Sequence, residues 1–272
     1  PRAAPTGDPG RFTLDVPDGL QQGKGAWGGV ATGAMVSAVR QFEPNRELAV
    51  RTVSAQLIAP LLVGRADIAV EVLRQGAATT TAAVRVSGAD GAVVAHGIVI
   101  LGAARAGEAI PDGADWLSVQ PPAEVAVGPD AVAVIPLGPP LAPAFLRQLE
   151  LRPINGLPFA GGSEPDVTGW VRPLAPVAHL DAAVVVALAD AWWVAIMPRL
   201  DRPRPVGTLA FTVDLTTDPE QMPTEPDGRL RPLFHRGRTL AAREGYTLEQ
   251  RELWTQDGTL VSWNTQAVAV IK

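Results

Sequence analysis

Gly28 and Gly29, followed by VATGAMVSAVRQF over residues 30–42, decide the fold of this chain. These roughly 13 residues are small or apolar on every face. The pattern predicts a buried helix, wrapped by a sheet rather than lying on one. Pro44 ends it, because proline cannot continue the helical hydrogen bonding. Working outward, residues 12–16 read as a short strand, and a glycine-punctuated loop leads from it to the helix. Residues 48–58 partly alternate apolar and polar before Pro60 breaks the run. ADIAVEVLRQG, TTTAAVRVSGADG and AVVAHGIVILG follow as β-rich segments, with SGADG as a hairpin turn. The first half is thus one central helix and about four antiparallel strands.

The second half repeats this order. Residues 180–197, LDAAVVVALADAWWVAIM, read as a second long apolar helix, capped near Asp181 and stopped by Pro198. VGTLAFTVDL (206–215), LFHRGRTLAA, TLEQRELWTQDG and TLVSWNTQAVAVI read as its strands. Before that helix, LELRPINGLPF and TGWVRPL read as strands flanking the loop GGSEPD. Aligning Asp90-Gly91 with Asp257-Gly258 gives an offset of 167, and aligning Val50-Arg51-Thr52 with Val206-Gly207-Thr208 gives 156. An internal duplication accounts for both. The expected fold is α+β: two helix-wrapped antiparallel units at 11–104 and 146–272, with sheets joined so that two edges are hidden. The irregular Pro/Gly/Ala stretch 105–145 reads as a linker containing at most one short strand.

Composition narrows the function classes. The 272 residues are 47% hydrophobic and 19% charged, which excludes disorder. A net charge of -5 argues against a nucleic-acid or anionic-membrane partner. The absence of cysteine removes disulfides, thiolate nucleophiles and cysteine metal sites, and suits a cytoplasmic setting. The longest apolar run, 182–189, has eight residues, whereas a membrane helix needs about 20. The first ten residues, PRAAPTGDPG, read as a flexible leader.

Among candidate functional residues, Asp190 stands out because it interrupts an apolar helix. It must be hydrogen-bonded, exposed on one face, or functional. His96, His179 and His235 are too scattered to ligate a metal and read as structural or surface residues. No serine sits in a GxSxG elbow, and GKGAWGG fits no nucleotide-loop spacing. Trp192 and Trp193 read as core packing, with the wall of a ligand pocket as the alternative. Arg229, Arg231, Arg236 and Arg238 read as a solvated strand face, with contact to a ligand phosphate as the alternative.

These segments together resemble the acyl-CoA thioesterase family of double-hotdog proteins, specifically its TesB-like branch and actinobacterial relatives. The resemblance rests on GKGAWGGVATGAMVSAV, on PLLVGRADIAVEVLRQGAATTTAAVRV, on ALADAWW, on VGTLAFTVDL and on YTLEQRELWTQDGTLVSWNTQAVAV. It implies a double-hotdog fold that hydrolyses an acyl-CoA or related acyl thioester. It also implies that Asp190, Thr208 and Gln266 converge from three elements to activate water. Trp27, Gly28 and Gly29 would form an oxyanion-binding pocket edge, and Trp192 and Trp193 an acyl wall. No metal or redox cofactor is implied, and the acyl thioester is the expected partner. The offsets place Ala34 and Val99 opposite Asp190 and Gln266, which predicts one active centre per chain. Exposed sheet edges suggest a homo-oligomer. Two other functions compete: a non-catalytic acyl-CoA-binding hotdog protein, and an enoyl-CoA hydratase-like enzyme.

Overall fold

A computed structural model describes residues 2–105, 118–176 and 181–271. Fourteen strands and two α-helices are present among them. The first half comprises β1 (Ala4–Pro5), β2 (Arg11–Val16), β3 (Gln21–Gln22), β4 (Gly25–Ala26), α1 (Gly28–Phe42), β5 (Leu48–Leu57), β6 (Gly64–Gln75), β7 (Thr79–Ser87) and β8 (Val93–Ala103). The second comprises β9 (Leu149–Asn155), β10 (Asp166–Pro173), α2 (Ala182–Leu188), β11 (Val206–Leu215), β12 (Leu233–Arg243), β13 (Tyr246–Trp254) and β14 (Leu260–Val270).

Twelve strands form one continuous sheet in the order β1-β2-β6-β7-β8-β5-β11-β14-β13-β12-β10-β9. The order reads the same from either end once each strand is matched to its counterpart. β5 and β11 make the central seam, antiparallel, with Val53 opposite Val213. This is the fused double hotdog. The small β3–β4 ribbon stands apart from the sheet and is tied down where the Ala26 N–H donates to the Leu61 carbonyl at 2.7 Å.

α1 is buried from Gly29 through Val39 because it meets sheet strands on one side and α2 on the other. Gly29 and Gly33, one turn apart, face the carbonyls of Ala187 and Ala183. A methyl group placed on either glycine would stand 2.7 or 2.9 Å from those oxygens. The small residues therefore set how closely the helices cross. Glu43 caps the helix, its N–H donating to the Val39 carbonyl, and Pro44 follows.

Two expectations change. The long second helix over 180–197 is a helix only from Ala182 to Leu188, with Asp181 capping it by accepting from the Val184 N–H at 3.1 Å. Beyond Leu188 the chain turns, and carbonyls that would continue the helix accept from a buried side chain instead. The leader is also not free: Ala4 and Pro5 pair with Thr13 and Phe12, and Ala3 is buried. The described part of the linker contains 3-10 turns and no strand. Its Val125 packs with Trp170, Phe234, Trp254 and Leu260 against the second half of the sheet. Among the described residues no helix is long and apolar enough to cross a membrane.

Candidate active site

Asp190 lies two residues past the end of α2, in the turn rather than on a helix, and is buried. Its Oδ1 accepts from Gln266 Nε2 at 3.1 Å. The same amide nitrogen donates to Asn264 Oδ1 at 3.0 Å, and Gln266 Oε1 accepts from the Thr208 hydroxyl at 3.1 Å. The Gln266 carboxamide therefore has all its principal directions used, which fixes its orientation. Thr208, Gln266 and Asp190 come from β11, β14 and the turn after α2 and form one hydrogen-bonded chain.

The N-terminus of α1 approaches from the first half. The Gly29 N–H donates to the Asp190 carboxylate, one of the helix-start donors that have no partner within the helix. A methyl on Gly28 would stand 2.6 Å from Asp190 Oδ2, so only a glycine lets the carboxylate lie against this backbone. Burial pushes the Asp190 carboxyl above the usual carboxylate range. The Arg251 guanidinium, the Gln266 amide and the Gly29 N–H each pull it back.

A cavity of about 590 Å³ opens here. Ala26, Gly28, Leu57 and Leu61 line it from the first half; Asp190, Trp192, Thr208 and Arg251 line it from the second. Its wall is apolar apart from a few converging polar groups, the usual character of a small-molecule site. Trp192 contributes to this wall and stacks on His235, with ring centroids 5.2 Å apart. Trp193 does not line the cavity; its indole N–H donates to the Gly156 carbonyl at 2.8 Å. Trp27 also faces elsewhere, stacked on Phe145 at 4.8 Å on the opposite side of the α1 start. Of the three residues expected at the pocket edge, Gly28 lines the cavity, Gly29 binds the carboxylate, and Trp27 points away.

Sequence reasoning missed Arg251 and Glu249 on β13. Arg251 is fully buried, and its Nη1 donates to the carbonyls of Ala189 and Trp192, both at 3.3 Å, and lies 3.7 Å from Asp190 Oδ1. Its Nε donates to Glu249 Oε1 at 2.8 Å. The signal available was period two: Glu249, Arg251 and Leu253 fall on the face opposite Gln250 and Glu252. The arginine cluster on and before β12 is not a free basic face. Arg236 and Arg238 pair with buried Glu252 at 2.8 and 3.3 Å, and Arg229 pairs with Asp227 at 2.6 Å. His96 is exposed, and His235 is buried and held neutral by burial and by the Arg251 charge. His179 lies outside the described residues.

Fold and site together define a double-hotdog protein with a buried carboxylate lining a cavity walled by both halves. Residues 16–102 match the acyl-CoA thioesterase N-terminal domain, and residues 122–270 match the acyl-CoA thioesterase C-terminal domain. The chain belongs to the acyl-CoA thioesterase family, and that membership supports a thioesterase-type hydrolytic function. No curated protein matches the sequence. Among solved structures, a conserved hot dog protein of unknown function from Alicyclobacillus acidocaldarius superimposes with a TM-score of 0.80 at 25% identity, covering 99% of this chain and 96% of that one. The acyl-CoA thioesterase II TesB2 from Mycobacterium marinum gives 0.67 at 16% identity, covering 98% and 94%. A candidate thioesterase II from Thermobifida fusca YX gives 0.76 at 19% identity, covering 99% and 95%.

Proposed function

We propose that this chain hydrolyses an acyl-CoA or a related acyl thioester with water activated by Asp190. The observation that carries the reading is the chain from Thr208 through Gln266 to Asp190, ending at a cavity walled by both halves. Because the Thr208 hydroxyl donates to Gln266, its oxygen lone pairs are left to accept from a water. The Asp190 carboxylate takes that water's proton as its oxygen attacks the thioester carbonyl carbon. The oxyanion then collapses, the carbon–sulfur bond breaks, and the proton goes to the departing thiolate. The Gly28 N–H, at the first turn of α1, would receive the oxyanion, since the Gly29 N–H already serves Asp190. The step balances with water alone.

We take residues 11–104 and 146–272 as duplicated hotdog units with 105–145 between them, acting in the cytoplasm and associating through the outer sheet edges. Thiol release from acyl-CoAs of several chain lengths tests the catalytic reading. Asp190→Asn should lower kcat by about 100-fold or more, the scale of general-base assistance. Unchanged turnover in that variant would sink the mechanism. Binding of acyl-CoA without release by the unaltered chain would instead make it a binding protein.

A further inference from the structure

We propose that Glu249 and Arg251 are a positioning pair that breaks the apolar helix after α2 and holds Asp190 toward the cavity. This rests on the hydrolytic reading of Asp190 given above. In a continuous helix the Ala189 carbonyl would accept from the Trp193 N–H and the Trp192 carbonyl from the Ile196 N–H, while the Ala195 N–H would donate to Ala191. The pair captures groups from this ladder. Arg251 Nη1 donates to the carbonyls of Ala189 and Trp192, and Glu249 accepts from the Ala195 N–H. The two side chains are two apart on β13, on one face, and Glu249 Oε1 accepts from Arg251 Nε at 2.8 Å. Their three contacts with this segment take up helical hydrogen-bonding groups on both sides of Asp190. A planar guanidinium can serve two carbonyls and a carboxylate together, which an ammonium on a flexible stem does not reproduce.

The same arrangement sets charge. One buried guanidinium stands between two buried carboxylates, 3.7 Å from Asp190 Oδ1 and 2.8 Å from Glu249 Oε1. The other groups facing this point are neutral or distant: Gln266 and Asn264 on β14, the Gly29 N–H of α1, Thr208 on β11, neutral His235 on β12, and exposed Lys24 at the cavity rim. Burial pushes both carboxyls upward and Arg251 pulls both down. Glu249 therefore competes with Asp190 for a single cation, and their titrations are coupled.

The experiment is the pH dependence of kcat for thiol release by the full chain and by R251Q, E249Q and D190N. Removing Arg251 leaves Asp190 protonated to higher pH, so the acid limb of R251Q moves up by about one pH unit or more, with activity partly regained at alkaline pH. E249Q keeps an oxygen to accept from Arg251 Nε but yields the whole cation to Asp190, so its acid limb moves down. Opposite shifts in two folded variants support the pair, because a purely structural defect lowers kcat without moving the limb in opposite senses. Limbs that stay in place overturn it. If R251Q does not fold, E249Q alone decides: a downward shift supports the proposal, and an unmoved or upward limb overturns it. An active D190N overturns the hydrolytic reading itself. An inactive D190N beside unmoved limbs in the pair's variants leaves that reading standing and removes only the pair's role.

Discussion

Asp190 is held in a position that costs the folded protein stability. Its native carboxyl titrates above the ordinary 3.8, chiefly because it is buried. From 3.8 up to the native value the unfolded chain binds fewer protons than the folded one. Stability therefore falls as pH rises through that window, and the loss is complete above it. Asp190→Asn removes the charge, so the variant should melt higher than the native chain at pH 7, by roughly 2–4 °C for each ~1 kcal/mol recovered. The gap should close as the pH approaches 3.8. A gap that is the same at both pH values would mean that the carboxylate is not the cause. Asp190 was legible as the acid interrupting an apolar run, whereas Thr208 and Gln266 were singled out only through a family resemblance. Glu249 and Arg251 are easily passed over despite their period-two spacing, because TLEQRELW has the charge content of a strand facing water. Its charges are buried because the turn after α2 covers one face of β13, while on the other face Trp254 packs with Val125.

Glycine spacing governs the contact between α1 and α2. A helix gains about 1 kcal/mol when an interior glycine becomes alanine, whereas overpacking costs about 1–3 kcal/mol. At Gly33 the obstacle is the Ala183 backbone carbonyl, 2.9 Å from the added methyl, which cannot rotate away as a side chain could. Urea denaturation should therefore show Gly33→Ala to be destabilising. Gly29→Ala should lose more, because its methyl would meet both the Trp27 indole and the Ala187 carbonyl. A gain in stability from either substitution would show that the helices can separate freely. The strands were readable because glycine and proline punctuate them and their burial alternates, as in Thr79–Ser87. The 180–197 helix was overread because apolar content alone does not distinguish a helix from a turn whose carbonyls are taken by a distant arginine. β1 was missed because two residues are too few to show a period.

Polarity is distributed unequally across the molecule. β7 and β13 begin 167 residues apart, as do β8 and β14. At that spacing Glu249, Arg251 and Gln266 correspond to Ala82, Val84 and Val99, all buried and apolar. The first half therefore supplies cavity wall and a helix start, and the second supplies the buried ionisable groups of the site. Residues 11–104 and 146–272 made as separate chains should both be inactive, since the cavity needs both. Each should also self-associate in size-exclusion chromatography, because β5 or β11 becomes an uncovered edge. A monomeric half would show that the seam is dispensable to the fold. The Trp192 ring that lines the cavity also meets Trp193 edge to face, with centroids 4.8 Å apart and planes inclined at 65°. Two indoles this close couple their transitions, so the intact protein carries a built-in optical gauge. A ligand that moves Trp192 will change the circular dichroism of the pair before any bond is broken.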